Sequence, residues 1–164
     1  MNFFASVLLL FFTYIMQTTV ADYFKLWGVK PDILLTVVLC YAIFEGKEKG
    51  VVMGLCAGLL LDFLWGRAFG VNAILYILIA LLCSITADNV FHKNAVLAVL
   101  SVFIFSFVYS VLFATVSFAF LGRGGMFYLL WGVALPSAIY NTVLAVPVFA
   151  LLERLRERFG GEKF

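Results

Sequence analysis

Asp62 is the residue whose chemistry stands out most, because it is an acid in the middle of an apolar segment. A carboxylate there can anchor hydrogen bonds, bind a partner or carry protons or ions, and the sequence leaves these roles open. An intramembrane aspartyl mechanism needs two converging carboxylates, and Asp62 is the only acid well inside a predicted span. The single histidine, His92, has no second metal ligand beside it, and no catalytic motif occurs. We therefore predict a protein that is not an enzyme, with no catalytic residue, metal site or cofactor.

Glycines at four-residue intervals share the segment of Asp62: Gly50, Gly54 and Gly58 precede it, and Gly66 follows. Small residues let helix backbones approach closely in a membrane, where the hydrophobic effect does little to bring helices together. Each four-residue step overshoots a full turn by roughly 40°, so the strip winds slowly around its helix. The strip is expected to pack against another helix, which belongs either to this chain or to a partner protein.

Four further polar residues lie inside apolar segments. Gln17 is late in the first segment, and Ser137, Tyr140 and Asn141 follow the i, i+3, i+4 spacing of one helix face in the last. Such side chains usually hydrogen-bond to neighbouring helices, and a ligand site is the alternative.

The composition indicates an integral membrane protein. Of 164 residues, 65% are apolar and 12% are charged, too few polar residues to cover a soluble domain. The apolar runs are continuous, which favours helices over the alternating strands of a β-barrel. A net charge of +2 does not indicate nucleic-acid binding. Cys40, Cys56 and Cys83 lie in apolar runs without metal-ligand spacing, and we interpret all three as small buried hydrophobic residues.

Charges and turn residues divide the chain into six predicted transmembrane helices, an all-α bundle within residues 1–152. The spans are Phe3 to Val20, Ile33 to Phe44, Val51 to Gly66, Val71 to Ala87, Ala95 to Leu121 and Met126 to Leu152. The second and third are shorter than the roughly 20 residues of a perpendicular span. A re-entrant hairpin made of these two is therefore an alternative to six full spans.

Lysine and arginine predict the orientation, because cytoplasmic loops carry an excess of them. With the amino terminus inside, the cytoplasmic side holds Lys47, Lys49, Lys93, Arg154, Arg156, Arg158 and Lys163. The other side holds Lys25, Lys30, Arg67 and Arg123. Both termini are then cytoplasmic, and residues 153–164 form a short basic cytoplasmic tail able to meet acidic lipid.

An ordered set of short motifs over nearly the whole chain resembles the rod shape-determining MreD family of bacteria. The most specific part is Gly58-Leu59-Leu60-Leu61-Asp62 with Pro31-Asp32 upstream of it. The other matching residues are Gln17, Glu45-Gly46, Gly54, Gly70, Asn141, Pro147 and Arg154-Leu155-Arg156.

This resemblance implies a non-enzymatic component of the cell-elongation (rod) complex in the bacterial inner membrane. The expected partner is MreC, a single-span protein with a periplasmic coiled coil. Through MreC the chain would support peptidoglycan synthesis by RodA and penicillin-binding protein 2, and would connect to the actin-like MreB filament. The family is also similar, in its six-helix arrangement, to the membrane substrate-binding subunits of energy-coupling-factor transporters. A subunit of a vitamin transporter is therefore the alternative function.

Overall fold

The computed structural model describes residues 3–19, 23, 29–65, 70–90, 95–121 and 129–159. These residues form six α-helices and one π-helical turn, and no β-strand occurs among them. The α-helices are α1 (Phe3–Thr19), α2 (Ile33–Glu45), α3 (Lys47–Trp65), α4 (Val71–Val90), α5 (Ala95–Leu121) and α6 (Leu135–Phe159), and the π-helical turn (Leu129–Ala134) directly precedes α6.

The six helices match the six predicted segments, with differences at three helix ends. Helix α3 starts at Lys47 rather than Val51, because Gly46 ends α2 at a φ of 82° and the next helix begins at once. Helices α4 and α6 run beyond their predicted ends, to Val90 and Phe159. The predictions treated charged and polar residues as helix ends, but a helix can extend past the apolar layer with such residues in its last turns.

Helix α2 is the centre of the bundle, since it packs against each of the other five helices. Every residue from Leu34 to Ala42 is buried. Its 13 residues make a helix about 20 Å long at 1.5 Å per residue. A helix surrounded by protein need not match the thickness of a bilayer, which explains how so short an apolar helix is accommodated.

The glycine strip of α3 lies against helices of the same chain. A Cβ atom added to Gly50 would lie 2.7 Å from the Cβ of Ala42 in α2. One added to Gly54 would lie 2.9 Å from the carbonyl oxygen of Tyr76 in α4, and one on Gly58 would overlap the backbone of Ala73. These distances leave no room for side chains, so the glycines permit the close approach of α3 to α2 and α4. Gly66 lies outside the described residues.

Two helical stretches, Val96–Ala119 and Trp131–Leu155, are long and apolar enough to cross a membrane. Shorter apolar helices occupy Phe4–Thr19, Ile33–Glu45 and Val71–Ala87. Large apolar side chains are exposed along α1, α4, α5 and α6, such as Phe4, Ile74, Val96 and Val143. An apolar exterior around an apolar core is what a helical protein in lipid requires.

Candidate functional site

The first turn of α2 receives side chains from three helices. The N–H groups of a first helical turn have no partner within the helix and need an acceptor elsewhere. Asp32 supplies one, its Oδ1 accepting from the N–H of Leu35 at 2.9 Å. Gln17 of α1 accepts from the N–H of Ile33 at 2.8 Å, and Asn141 of α6 accepts from the N–H of Asp32 at 2.8 Å. Gln17 and Asn141 thus fix α1 and α6 to the start of α2.

Asp62 does the same for α4. Its side chain, 2% exposed, accepts from the backbone N–H groups of Gly70 at 3.0 Å, Asn72 at 3.1 Å and Ala73 at 2.9 Å. The side-chain amide of Asn72 donates a fourth hydrogen bond at 2.9 Å. A carboxylate at a helix N-terminus also interacts favourably with the helix dipole. Asp62 therefore closes the α3–α4 connection by capping α4 from the preceding helix.

Two tyrosines extend these contacts to α5 and between the two capped helices. Tyr76 of α4 donates its hydroxyl to both oxygens of Asp32, at 3.0 and 3.1 Å. Tyr109 of α5 donates to the side-chain oxygen of Asn72 at 3.1 Å. The two rings meet edge to face, with their centroids 5.2 Å apart.

One more bond joins α5 to α6, from the side-chain amide of Asn141 to the hydroxyl of Ser106 at 2.5 Å. We call the eight residues of this network the polar cluster. Its members are Gln17, Asp32, Asp62, Asn72, Tyr76, Ser106, Tyr109 and Asn141, so every one of the six helices contributes at least one side chain.

The polar cluster holds the bundle together at the end where α2 and α4 begin. In the described part of the chain, no buried side-chain nitrogen or oxygen atom lacks a hydrogen-bond partner. An aspartate at the centre of a membrane helix costs about 2.5 to 3.5 kcal/mol on insertion scales. Four donors at Asp62 offset that cost, because each satisfies a lone pair of the carboxylate.

The cluster brings together three of the polar residues predicted from sequence, Gln17, Asp62 and Asn141. Ser137 is buried and Tyr140 is half-buried on the same helix as Asn141, but the hydrogen bonds of Asn141 run to Ser106 and Asp32 instead.

The sequence analysis missed other members of the cluster. Asp32 was expected at the headgroup level and instead belongs to the same network as Asp62, so Asp62 is not an isolated acid. Asn72 and Tyr76 gave only one local signal, their i, i+4 spacing on one helix face.

A second feature is a lateral groove of about 830 Å³ between α1 and α3. Its walls are almost entirely apolar and include Phe11 of α1 and Phe63 of α3, and Tyr41 of α2 also lines it. The hydroxyls of Ser6 and Tyr41 are hydrogen-bonded at 2.8 Å. The exposed Cys56 also lines the groove, so the prediction of three buried cysteines is wrong for this one. Among the described residues, no group of three or more histidine, cysteine or acidic side chains could hold a metal ion.

An all-helical bundle with an apolar exterior and its polar side chains gathered inside defines a helical membrane protein. The family model of rod shape-determining protein MreD matches residues 1–155. The chain therefore belongs to the MreD family, membrane proteins of rod-shape determination. Neither a curated protein nor a solved structure gave a match.

Proposed function

We propose that this protein is a non-enzymatic component of the bacterial cell-elongation complex that acts by binding MreC. The family match over residues 1–155 is the observation that carries this proposal. Through MreC, the protein would support peptidoglycan synthesis by RodA and penicillin-binding protein 2 and would connect to MreB. The polar cluster supports a binding role, because its side chains bond to one another and to helix N-termini, which gives a rigid body on which a partner can dock.

The proposed topology has six membrane spans with both termini in the cytoplasm. In this orientation the polar cluster lies toward the outer face of the membrane, and the α2–α3 turn lies toward the cytoplasm. The four basic residues Lys47, Lys49, Arg154 and Arg156 then lie on the cytoplasmic side, as the positive-inside rule requires. Reporter fusions at each terminus test this topology, and an externally active reporter at either end would contradict it.

Isolation from native membranes tests the function. We expect the tagged protein, solubilised in mild detergent, to retain MreC and to bring RodA and penicillin-binding protein 2 with it in lower amounts. A polytopic membrane protein unrelated to wall synthesis, carrying the same tag, is the control for non-specific recovery. Recovery of ATPase subunits or of a tightly bound vitamin, without wall-synthesis proteins, would contradict the proposal and favour the transporter alternative.

A further inference from the structure

The groove between α1 and α3 is an apolar surface that no described segment of the chain fills. Its open side is lined by large apolar side chains that would otherwise face lipid. Phe63 is 79% exposed, Phe11 is 59% exposed and Val52 is 55% exposed. Helix α1 packs against α2 and α3 among the described helices, which leaves much of its own surface uncovered. The position of the groove on the side of the bundle makes it accessible from within the membrane.

The α3 wall of the groove has the spacing of a helix-packing surface. Lys49, Met53, Cys56, Leu60 and Phe63 all line it, at alternating steps of four and three residues. Side chains spaced in this way form the seam along which one helix packs beside another at a shallow crossing angle. From the first to the last of these residues the wall is about 21 Å long at 1.5 Å per residue. That length covers most of a hydrocarbon core about 30 Å thick, as a partner helix running through the membrane requires.

The charge at one end of the groove favours a particular flank of that helix. Lys49 is paired with Glu45, with 2.7 Å between the ammonium nitrogen and the carboxylate oxygen. Glu48, exposed beside this pair, leaves the lining of the groove with a negative charge at this end. In the proposed topology this is the cytoplasmic end, where transmembrane segments carry their Lys and Arg residues. A basic flank is attracted to Glu48, whereas an anionic lipid headgroup is repelled by it.

We propose that the groove between α1 and α3 is the docking site for one transmembrane helix of a partner protein, with a basic residue at its cytoplasmic flank next to Glu48. This inference rests on the proposed function, which supplies a single-span partner in MreC. The helix would bury Phe63, Phe11 and Val52 and lie along α3. The glycine strip would have no part in this contact, because Gly54 and Gly58 face α4.

A tryptophan placed in the groove tests the docking site. Cys56→Trp would fill part of the groove, and Leu78→Trp places the same bulk on the exposed side of α4, outside it. With full-length MreC co-expressed, we expect Cys56→Trp to lower the recovered MreC about tenfold or more, which corresponds to a loss of 1.4 kcal/mol. Leu78→Trp is expected to retain the wild-type amount, and both variants should reach wild-type levels in the membrane.

A charge reversal tests the orientation of the docked helix. Glu48→Lys is expected to weaken the recovery of MreC, and reversing a basic residue at the cytoplasmic flank of the MreC helix to Glu should restore it. Glu153→Lys is the matched control, because Glu153 is an exposed acid of α6 that does not line the groove. Failure of every reversal at that flank to restore recovery would overturn the assignment of Glu48.

A photo-crosslinking amino acid at position 63 identifies the occupant directly and does not depend on a destabilising substitution. We expect adducts with the transmembrane segment of MreC at this position and none at position 139, an exposed site on α6. Adducts only with lipid, or only with a second copy of this chain, would overturn the inference. Wild-type protein that retains no MreC would refute the proposed function itself. Wild-type and Cys56→Trp proteins that retain MreC equally would refute only the groove as its docking site.

Discussion

Substitution of Asp62 separates the hydrogen-bonding role of this carboxylate from a role of its charge. Asp62→Asn preserves the shape of the side chain and one acceptor oxygen, whereas Asp62→Leu removes both oxygens. If the carboxylate serves to cap α4, stability should fall in the order wild type, Asn, Leu. If a proton or ion passes through this site, the two variants should be equally defective in function, because both abolish the negative charge.

The magnitude follows from the four hydrogen bonds at Asp62, two at each oxygen. An asparagine keeps two of them and turns its own amide N–H groups toward the other two donors. At about 1.5 kcal/mol for each hydrogen bond to a charged group, Asn costs about 3 kcal/mol and Leu about 6 kcal/mol. A loss as large as the second is exceptional for one substitution and would leave little folded protein.

Two buried thiols provide the assay. Cys40 and Cys83 are buried and Cys56 is exposed, so in a Cys56→Ala background a thiol-reactive fluorophore reports the opening of the bundle. Heating the purified protein in mild detergent should give reaction midpoints that fall from wild type to Asp62→Asn and again to Asp62→Leu. Glu153→Gln and Glu153→Leu, at an exposed position on α6, are the matched controls and should leave the midpoint nearly unchanged. Equal midpoints for wild type and Asp62→Leu would refute the assignment of Asp62 as the cap of α4.

Three further predictions concern packing and the rest of the polar cluster. Gly58→Ala should destabilise the bundle by about 1 to 3 kcal/mol, because the added Cβ meets the Ala73 backbone, and a wild-type midpoint would show that α3 and α4 separate easily there. Tyr109→Phe removes one hydrogen bond to Asn72 and should cost about 1 kcal/mol, which the thiol assay can compare with the larger effect of Asp62→Asn. Asn141→Leu leaves a backbone N–H of α2 without its acceptor and should cost about 1 to 3 kcal/mol, whereas exposed Val143→Leu should be neutral in the same assay.

The helices could be predicted from the sequence because the apolar runs are long and continuous. Polar residues inside those runs, among them Gln17, Asp62 and Asn141, could be singled out because burying them in lipid is costly unless they are hydrogen-bonded. Their partners could not be predicted in the same way. Asn141 bonds to the backbone of Asp32, 109 residues away, and no local spacing indicates such a pair.

The glycine strip shows the same limit. Four-residue spacing indicates close packing of a helix, but it carries no information on which helix fills the space. The structure places Gly50 against α2 and Gly54 and Gly58 against α4, which is one of the two alternatives that the sequence left open. The groove arises where α1 and α3 diverge, so it depends on tertiary packing. The exposed position of Cys56 could not be predicted for the same reason.

Depletion of the protein from its native bacterium, followed by measurement of cell length and width, tests the central claim most directly. If the protein is a component of the elongation complex, rod-shaped cells should become wide and round as it disappears. Re-expression of the wild-type protein should restore the rod shape. Cells that keep their normal width and continue to elongate after the protein is no longer detectable would contradict the account.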